Sequence, residues 1–337
     1  RHDYYRLLLE LFIERWAQPY YQWCEDHGLE FTGHYWEHEW PNCGAVPDNM
    51  AMYAWHQRPA IDCLMNQYAE NTHAQFGNIR AVRELSSIAD QMGRRRTLCE
   101  IYGAGGWDLR FEDMKRIADW LGVLGVNTFD EHLSYVTIRG ARKMDHPQSF
   151  SYHASWWNDY HVMARYMTRL SLVLSAGERR NEILLLEPTS TAWLYQGDGT
   201  TADALRRLGD EFFDLVKTLE CDQVEYDLGC EDVMGRHGEV QNGALRVGHR
   251  SYHTVVIPPL CRNLETKTVR LLKAFLEDGG TVLCCGDVPE LADGAPSPEI
   301  ASLAALPGWI SLSPAELSAR LLKRQDPGVR IHWREPR

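Results

Sequence analysis

The sequence has no apolar run of the roughly 18–20 residues that a membrane helix requires, so no helical span is expected and the protein should be soluble. Positive charge is also scarce: the formal net charge is −12, and the only basic run is Arg94 to Arg96. No Lys and Arg cluster is interleaved with aromatic rings, which argues against nucleic acid or an anionic membrane surface as a partner. The nine cysteines (Cys24, Cys43, Cys63, Cys99, Cys221, Cys230, Cys261, Cys284 and Cys285) contain no C-x-x-C pair with metal spacing. Cys99, Cys284 and Cys285 stand in apolar runs, where a thiol behaves as a small hydrophobe, and a reduced state is expected.

Several signatures of catalysis are missing as well. Gly103, Gly105 and Gly106 are not followed by Lys and then Ser or Thr, so they form no phosphate loop. No G-x-S-x-G supports a Ser-His-Asp triad, and no glycine-rich dinucleotide fingerprint follows the apolar run HTVVIPP (253–259). The chain opens on Arg1 with no initiator methionine and no basic, apolar and cleavage-site pattern, as a processed chain or a fragment would. The compartment expected is the cytoplasm or, for a fragment of an exported protein, the periplasm or the extracellular space.

What is present points to an α/β protein. A chain of 337 residues with 44% hydrophobic content can bury a sizeable core. Apolar residues recur at helical spacing over 1–28, 79–93 and 111–125, each stretch ending at or near a glycine (Gly28, Gly93, Gly125). Between them LEFTGHYW (29–36), RTLCEIY (96–102) and VNTFDEHL (126–133) read as strands. This alternation predicts parallel βα units. A long helix is expected over about 156–176 and a strand over 182–193. Then come a helix over 203–220, a Gly-rich polar stretch over 221–252, a strand over 253–259, a helix over 264–280 and a strand over 281–287. We therefore expect a TIM-type (β/α)8 barrel, or its C-terminal part, over residues 1–180. A smaller doubly wound α/β domain should follow over 181–337.

Catalytic side chains in parallel sheets project from the C-terminal ends of strands. Three segments offer such groups: GHYWEHEWP (33–41) carries His34, Glu37, His38 and Glu39, TLCEIYGAGGW (97–107) carries Glu100, and GVNTFDEHLSY (125–135) carries Asp130, Glu131 and His132. Glycoside hydrolysis uses two carboxyl groups, about 5–5.5 Å apart for retention and about 6.5–9.5 Å for inversion. Glu100 is the leading candidate base or nucleophile, with Glu37 and Glu131 as candidate partners; a structural ion pair with Arg94 or Arg110 is the bland alternative for Glu100. His34, Trp36, His38, Trp107, His132 and Tyr135 are candidate substrate contacts, the tryptophans equally readable as core. His34 to His38 also fits H-x-x-E-H, a zinc-peptidase pattern that needs both imidazoles on one helical face. Gly33 before it and Pro41 after it argue against that helix.

The stretch 86–135 resembles the catalytic region of glycoside hydrolase family 106, the α-L-rhamnosidases: a small-residue helix, a strand ending in glutamate, a Trp-bearing loop, a helix and a strand ending in histidine. Glu100 matches the family's strand-end glutamate and His132 its later histidine. RKMDHPQSFSYHASWW (142–157) and the next helix, with Arg169 and Gly177, resemble the segment closing that barrel, and the likeness covers about residues 1–195. It implies hydrolysis of a terminal sugar by two glutamates with inversion, a nearby calcium ion, Glu100 as base and a general acid upstream of Arg1. The acidic Asp130 and Glu131 and the His- and Glu-rich 33–41 segment depart from the family pattern and keep Glu37 and Glu131 open as partners. Residues after 200 resemble the glutamine-amidotransferase-like domain that follows the barrel in several sugar hydrolases, without a nucleophile elbow, and suggest a structural or oligomerising module. A non-catalytic carbohydrate-binding scaffold is the alternative to an enzyme, and a homo-oligomer is one assembly the sequence allows, with the oligomeric state left open.

Overall fold

The computed structural model describes residues 1–63, 78–197, 199–324 and 329–332. The chain divides into two compact units: Glu10–Glu39 with Asn49–Arg179, and Arg1–Leu9 with Trp40–Asp48 and Arg180–Arg337. Residues Arg1–Leu9 and Trp40–Asp48, expected with the barrel, thus pack with the C-terminal part. Their side chains and backbone find buried partners there. His2 Nε2 lies 2.6 Å from Glu265 Oε1 and the Trp193 indole N–H donates to the Pro47 carbonyl at 2.8 Å.

The helical run at the N-terminus consists of α1 (His2–Phe12) and α2 (Gln18–Asp26), joined by a π-helical turn over Ile13–Ala17. The unit Glu10–Glu39 with Asn49–Arg179 is built on four parallel strands, β1 (Thr32–Gly33), β2 (Arg58–Cys63), β3 (Leu98–Ile101) and β4 (Thr128–Glu131), adjacent in chain order. Around them lie α3 (Asn49–Tyr53), α4 (Ile79–Gln91), α5 (Phe111–Leu124) and α6 (Tyr160–Leu174). Strand β2 was not anticipated. Parallel neighbours need a crossover, which α5 supplies between β3 and β4.

Helix α4 starts where Asn78 accepts the Ala81 N–H at 3.2 Å, an N-cap. It is buried nearly all round, and its Arg80 and Glu84 form a buried i,i+4 pair at 2.5 Å. Helix α5 buries the stripe Met114, Ile117, Ala118, Leu121 and Leu124 and ends at Gly125 with φ +114°. A Cβ at Gly125 would lie 2.6 Å from the Ser86 Cβ, so the end of α5 approaches α4 to a distance only glycine permits.

Strand register sets the site. Asp62 stands opposite Glu100 and Glu100 opposite Asp130, so three carboxyl groups form one row across β2, β3 and β4 on one face. The next row, Cys63, Ile101 and Glu131, takes the other face, where Cys99 and Ile101 are fully buried.

The second unit carries β5 (Ile183–Leu186), α7 (Thr189–Tyr195), α8 (Ala202–Cys221), β6 (Asp227–Gly229) and α9 (Glu231–His237). An antiparallel meander follows, β7 (Gly238–Gln241), β8 (Ala244–Val247) and β9 (Arg250–Tyr252), then β10 (Thr254–Ile257). Next come β11 (Asn263–Leu264), α10 (Thr266–Glu277), β12 (Thr281–Cys285), β13 (Leu291–Ala292), β14 (Ala295–Pro296), α11 (Pro298–Leu303), β15 (Trp309–Leu312) and α12 (Pro314–Leu322). Its parallel sheet runs β15-β12-β10-β5-β6, the flavodoxin-type 2-1-3-4-5 order of a doubly wound fold.

One expectation fails here. The strand over 182–193 stops at Leu186, because Pro188 cannot donate to a ladder and Thr189–Tyr195 turns helical. The Gly-rich polar stretch 221–252 holds β6, α9 and the meander. Among the described residues no helix is long and apolar enough to cross a membrane.

Candidate active site

Glu100 sits on β3 with its side chain about one quarter exposed, between two imidazoles. His34, just after β1, places Nε2 at 3.2 Å from Oε2, and His132, just after β4, places Nε2 at 3.7 Å from Oε1. His132 follows Asp130 by two residues and so shares the face of Glu100; its backbone N–H continues the ladder to the Ile101 carbonyl at 2.9 Å. The hydrogen bond from His34 holds the Glu100 carboxyl below its usual range, against the opposing effect of burial, with the charges of His34, His132 and His146 adding. In return Glu100 pushes the His34 imidazolium up to about 9. The arginines named as alternative partners are engaged elsewhere: Arg94 donates to the Tyr21 hydroxyl at 2.8 Å and Arg110 pairs with Asp113 and Glu112.

Asp62 on β2 is the neighbour that sequence reading missed. The run RPAIDC has the same form as TLCEI, a short apolar stretch ending near an acid, and that was the available signal. Burial, then the charge of Glu100, raises the Asp62 carboxyl to about 7, with His34 opposing and Glu37 adding. Asp62 Oδ1 is buried with no hydrogen-bond partner among the described residues. Beneath His34, buried His56 is kept neutral, its pKa pushed down to about 3 by desolvation and by the His34 charge.

The candidate partners of Glu100 are committed elsewhere. Glu37 is buried and accepts from the Tyr53 hydroxyl at 2.8 Å and from the Asp62 backbone N–H at 2.7 Å, so it braces the segment between β1 and β2. Glu131 lies on the opposite face of the sheet from Glu100 and accepts from the Tyr160 hydroxyl. Burial, then the Glu131 charge and that bond, raise the Tyr160 phenol.

Two rings expected to stack on substrate have polar tips that hold a loop. The Trp107 indole donates to the Lys143 carbonyl at 2.7 Å, and the Tyr135 hydroxyl donates to the Asp145 and His146 carbonyls at 2.5 and 2.8 Å. Together they pin the 142–147 loop, which brings the His146 ring to 5.7 Å from His132; His146 was another residue not anticipated. Tyr102, at φ +68°, turns the chain out of β3 and anchors its hydroxyl on the Met114 carbonyl at 2.8 Å. Trp36 is 54% exposed and tilts against His38 with ring centroids 5.4 Å apart, leaving a broad aromatic face open to solvent.

The H-x-x-E-H segment forms no α-helix: β1 ends at Gly33 and only a 3-10 turn over Glu37–Glu39 follows. His34 and His38 therefore do not share a helical face, and the zinc-peptidase geometry is not built. Ligand-type atoms of His34, Asp62 and Glu100 lie within 4.8 Å of one another. Calcium takes six to eight oxygen ligands, and a trio with one imidazole, already hydrogen-bonded to one of its carboxylates, does not fit that ion. The trio is accounted for as an ion pair with a neighbouring acid.

A model of the alpha-L-rhamnosidase family, glycoside hydrolase family 106, matches residues 1–306. A search among curated proteins gave no match. Among solved structures, a rhamnosidase from Novosphingobium sp. PP1Y superposes with a TM-score of 0.70 at 18% identity, covering 95% of this chain and 31% of that protein. The GH42 beta-galactosidase Gan42B from G. stearothermophilus gives 0.54 at 11% identity, with 88% and 43% covered. The exo-carrageenase GH42 from Bacteroides ovatus gives 0.55 at 9%, with 85% and 39% covered. At these identities the likeness is one of fold, an α/β fold whose neighbours are glycoside hydrolases. The chain spans about a third of the length of the rhamnosidase it matches, and these matches lend nothing to the amidotransferase likeness expected for 181–337.

Proposed function

Because the chain belongs to the alpha-L-rhamnosidase family, glycoside hydrolase family 106, we propose that it carries the base-bearing part of a glycosidase site acting on a terminal α-L-rhamnoside. The observation that supports this reading best is Glu100: a strand-end carboxylate kept ionised by His34 and His132, with one side open. A general base must hold its charge at the working pH and reach the proton it removes. In the inverting scheme, water lies between Glu100 and the anomeric carbon. The O–H proton passes to Glu100 as the new C–O bond forms, while an acid on the opposite side protonates the departing oxygen.

Glu37 and Glu131 are bound to other groups, which leaves neither well placed as that acid. Neither is assigned as that acid. The four parallel strands β1 to β4 are read as half of an eight-stranded barrel, with the Asp62, Glu100 and Asp130 row facing its interior. His34, His132 and the exposed Trp36 are proposed to contact the sugar, and Trp107 and Tyr135 to shape its rim through the 142–147 loop.

The test is turnover of an aryl α-L-rhamnoside by the purified protein. Glu100→Gln should lower turnover by about 10²–10⁴-fold with the fold retained by circular dichroism. Near-normal turnover in that variant rules out the assignment.

A further inference from the structure

We propose that Asp62 and Glu100 act as a single-proton carboxyl pair, in which Asp62 holds the proton and Glu100 the charge. The catalytic consequence rests on the glycosidase reading above, whereas the pairing stands on geometry alone. Register makes the two residues direct neighbours on adjacent parallel strands with side chains on the same face. A carboxylate oxygen of each and a His34 ring nitrogen lie within 4.8 Å of one another. Two carboxylates so close repel when both are charged, and one His34 cation offsets only one of them.

The surroundings decide which of the two keeps the charge. His34 and His132 both direct Nε2 at Glu100, at 3.2 and 3.7 Å, and His146 adds to them from the 142–147 loop. Asp62 feels the charge of Glu37 instead, whose carboxyl is bound by the Asp62 backbone N–H and by Tyr53 of α3. Asp130 of β4 lies on the far side of Glu100. His56, held neutral, brings no charge. Asp62 Oδ1 is buried and meets no donor among the described residues, and a buried charged oxygen without a donor is costly. A proton on Asp62 removes that cost, and burial and Glu100 raise its carboxyl accordingly, to about 7.

Asp62 therefore acts on the reaction through Glu100, as a positioning residue. While neutral it leaves Glu100 the pair's only charge, matched by His34. Once Asp62 ionises, a second charge enters beside the base and the balance is lost. The proton goes to solvent and no other bond changes.

Carboxyl-carbon NMR of the purified chain, titrated across about pH 3 to 9, tests the pairing without any substrate. One carboxyl should titrate near neutrality, vanish from the Asp62→Asn spectrum, and move toward the ordinary aspartate value of about 3.9 in Glu100→Gln. Titration of Asp62 near that ordinary value in the unmodified chain, or an Asp62 titration indifferent to Glu100→Gln, overturns the pair. The pH profile of rhamnoside turnover gives the second readout. Asp62→Asn should remove the inflection near neutrality, whereas Glu100→Gln should depress turnover at every pH; an inflection that survives Asp62→Asn overturns the coupling. Absence of rhamnoside turnover in the unmodified protein would defeat the functional reading while the NMR titration still decides the pair.

Discussion

Both units of the molecule place acids at the C-terminal ends of parallel strands, yet the acids are in opposite states. Beyond β6 and β11, Glu231, Asp232 and Glu265 are only 5–8% exposed and each has a close polar partner. Glu231 accepts from the Ser190 hydroxyl at 2.5 Å and from the Glu265 N–H at 2.6 Å. Glu265 meets His2 at 2.6 Å and Arg6 at 3.4 Å, and Asp232 meets Arg6 at 3.3 Å and Arg236 at 2.7 Å. In the unit built on β1 to β4, Glu100 is open on one side and Asp62 has an oxygen without a donor among the described residues. A strand-end acid becomes chemically useful through access, which its position alone does not supply.

The largest separation of the two networks should come from paired substitutions. Glu100→Gln should cost turnover, as stated, with little change in melting temperature. Glu265→Ala strips both His2 and Arg6 of a buried partner and should cost about 3–5 kcal/mol of stability, read by denaturant melts, with turnover per folded molecule kept. A Glu265→Ala protein of normal stability would break the comparison.

A smaller effect is expected at Gly125. Alanine there meets the Ser86 Cβ and a backbone at φ +114°, so a loss of about 1 kcal/mol or more should appear in the same melts. Unchanged stability would mean that α5 retreats from α4 freely.

The smallest effect is electrostatic. The His34 pKa is raised from 6.5 to about 9 on folding, so its stabilising pairing is complete below 6.5 and is lost as pH rises through about 9. The Glu100 pKa is lowered from 4.5, so its share is present above 4.5 and is lost as pH falls through the depressed value. Solvent screens a pair this exposed, so a shallow decline in stability from about 6.5 to about 9 is expected. It should flatten in His34→Gln, and an unaltered decline in that variant would remove His34 as its source.

Much of this arrangement was legible in the residues, for physical reasons that can be named. Glu100 and His132 follow short apolar runs between well-marked helices, so the alternation of βα units alone brings them to one end of a sheet. Asp62 escaped because Pro59 interrupts its short run and the preceding NMAMY helix is apolar after Asn49, which hides the change of period. The run from 182 to 193 reads as one strand, but Pro188 marks where β5 has already given way to a helix. The tryptophan and tyrosine rings suggested stacking; that Trp107 and Tyr135 spend their polar tips on the carbonyls of Lys143, Asp145 and His146 depends on contacts across 36, 10 and 11 residues of sequence. Glu131 looked equivalent to Glu100 until pairing with Ile101 put it on the other side of the pleat.

The row formed by Asp62, Glu100 and Asp130 makes the site a matter of phase. Strand side chains alternate with a period of two, so sliding β2 by one residue against β3 would turn Asp62 toward the helices and present Ile61 or Cys63 in its place. The strand would remain, its hydrogen bonds would re-form, and the fold class would be unchanged. Single-residue insertions or deletions between Arg58 and Asp62 would therefore erase the acid pair while leaving the architecture standing, and even-numbered shifts would exchange one acid neighbour for another residue on the same face.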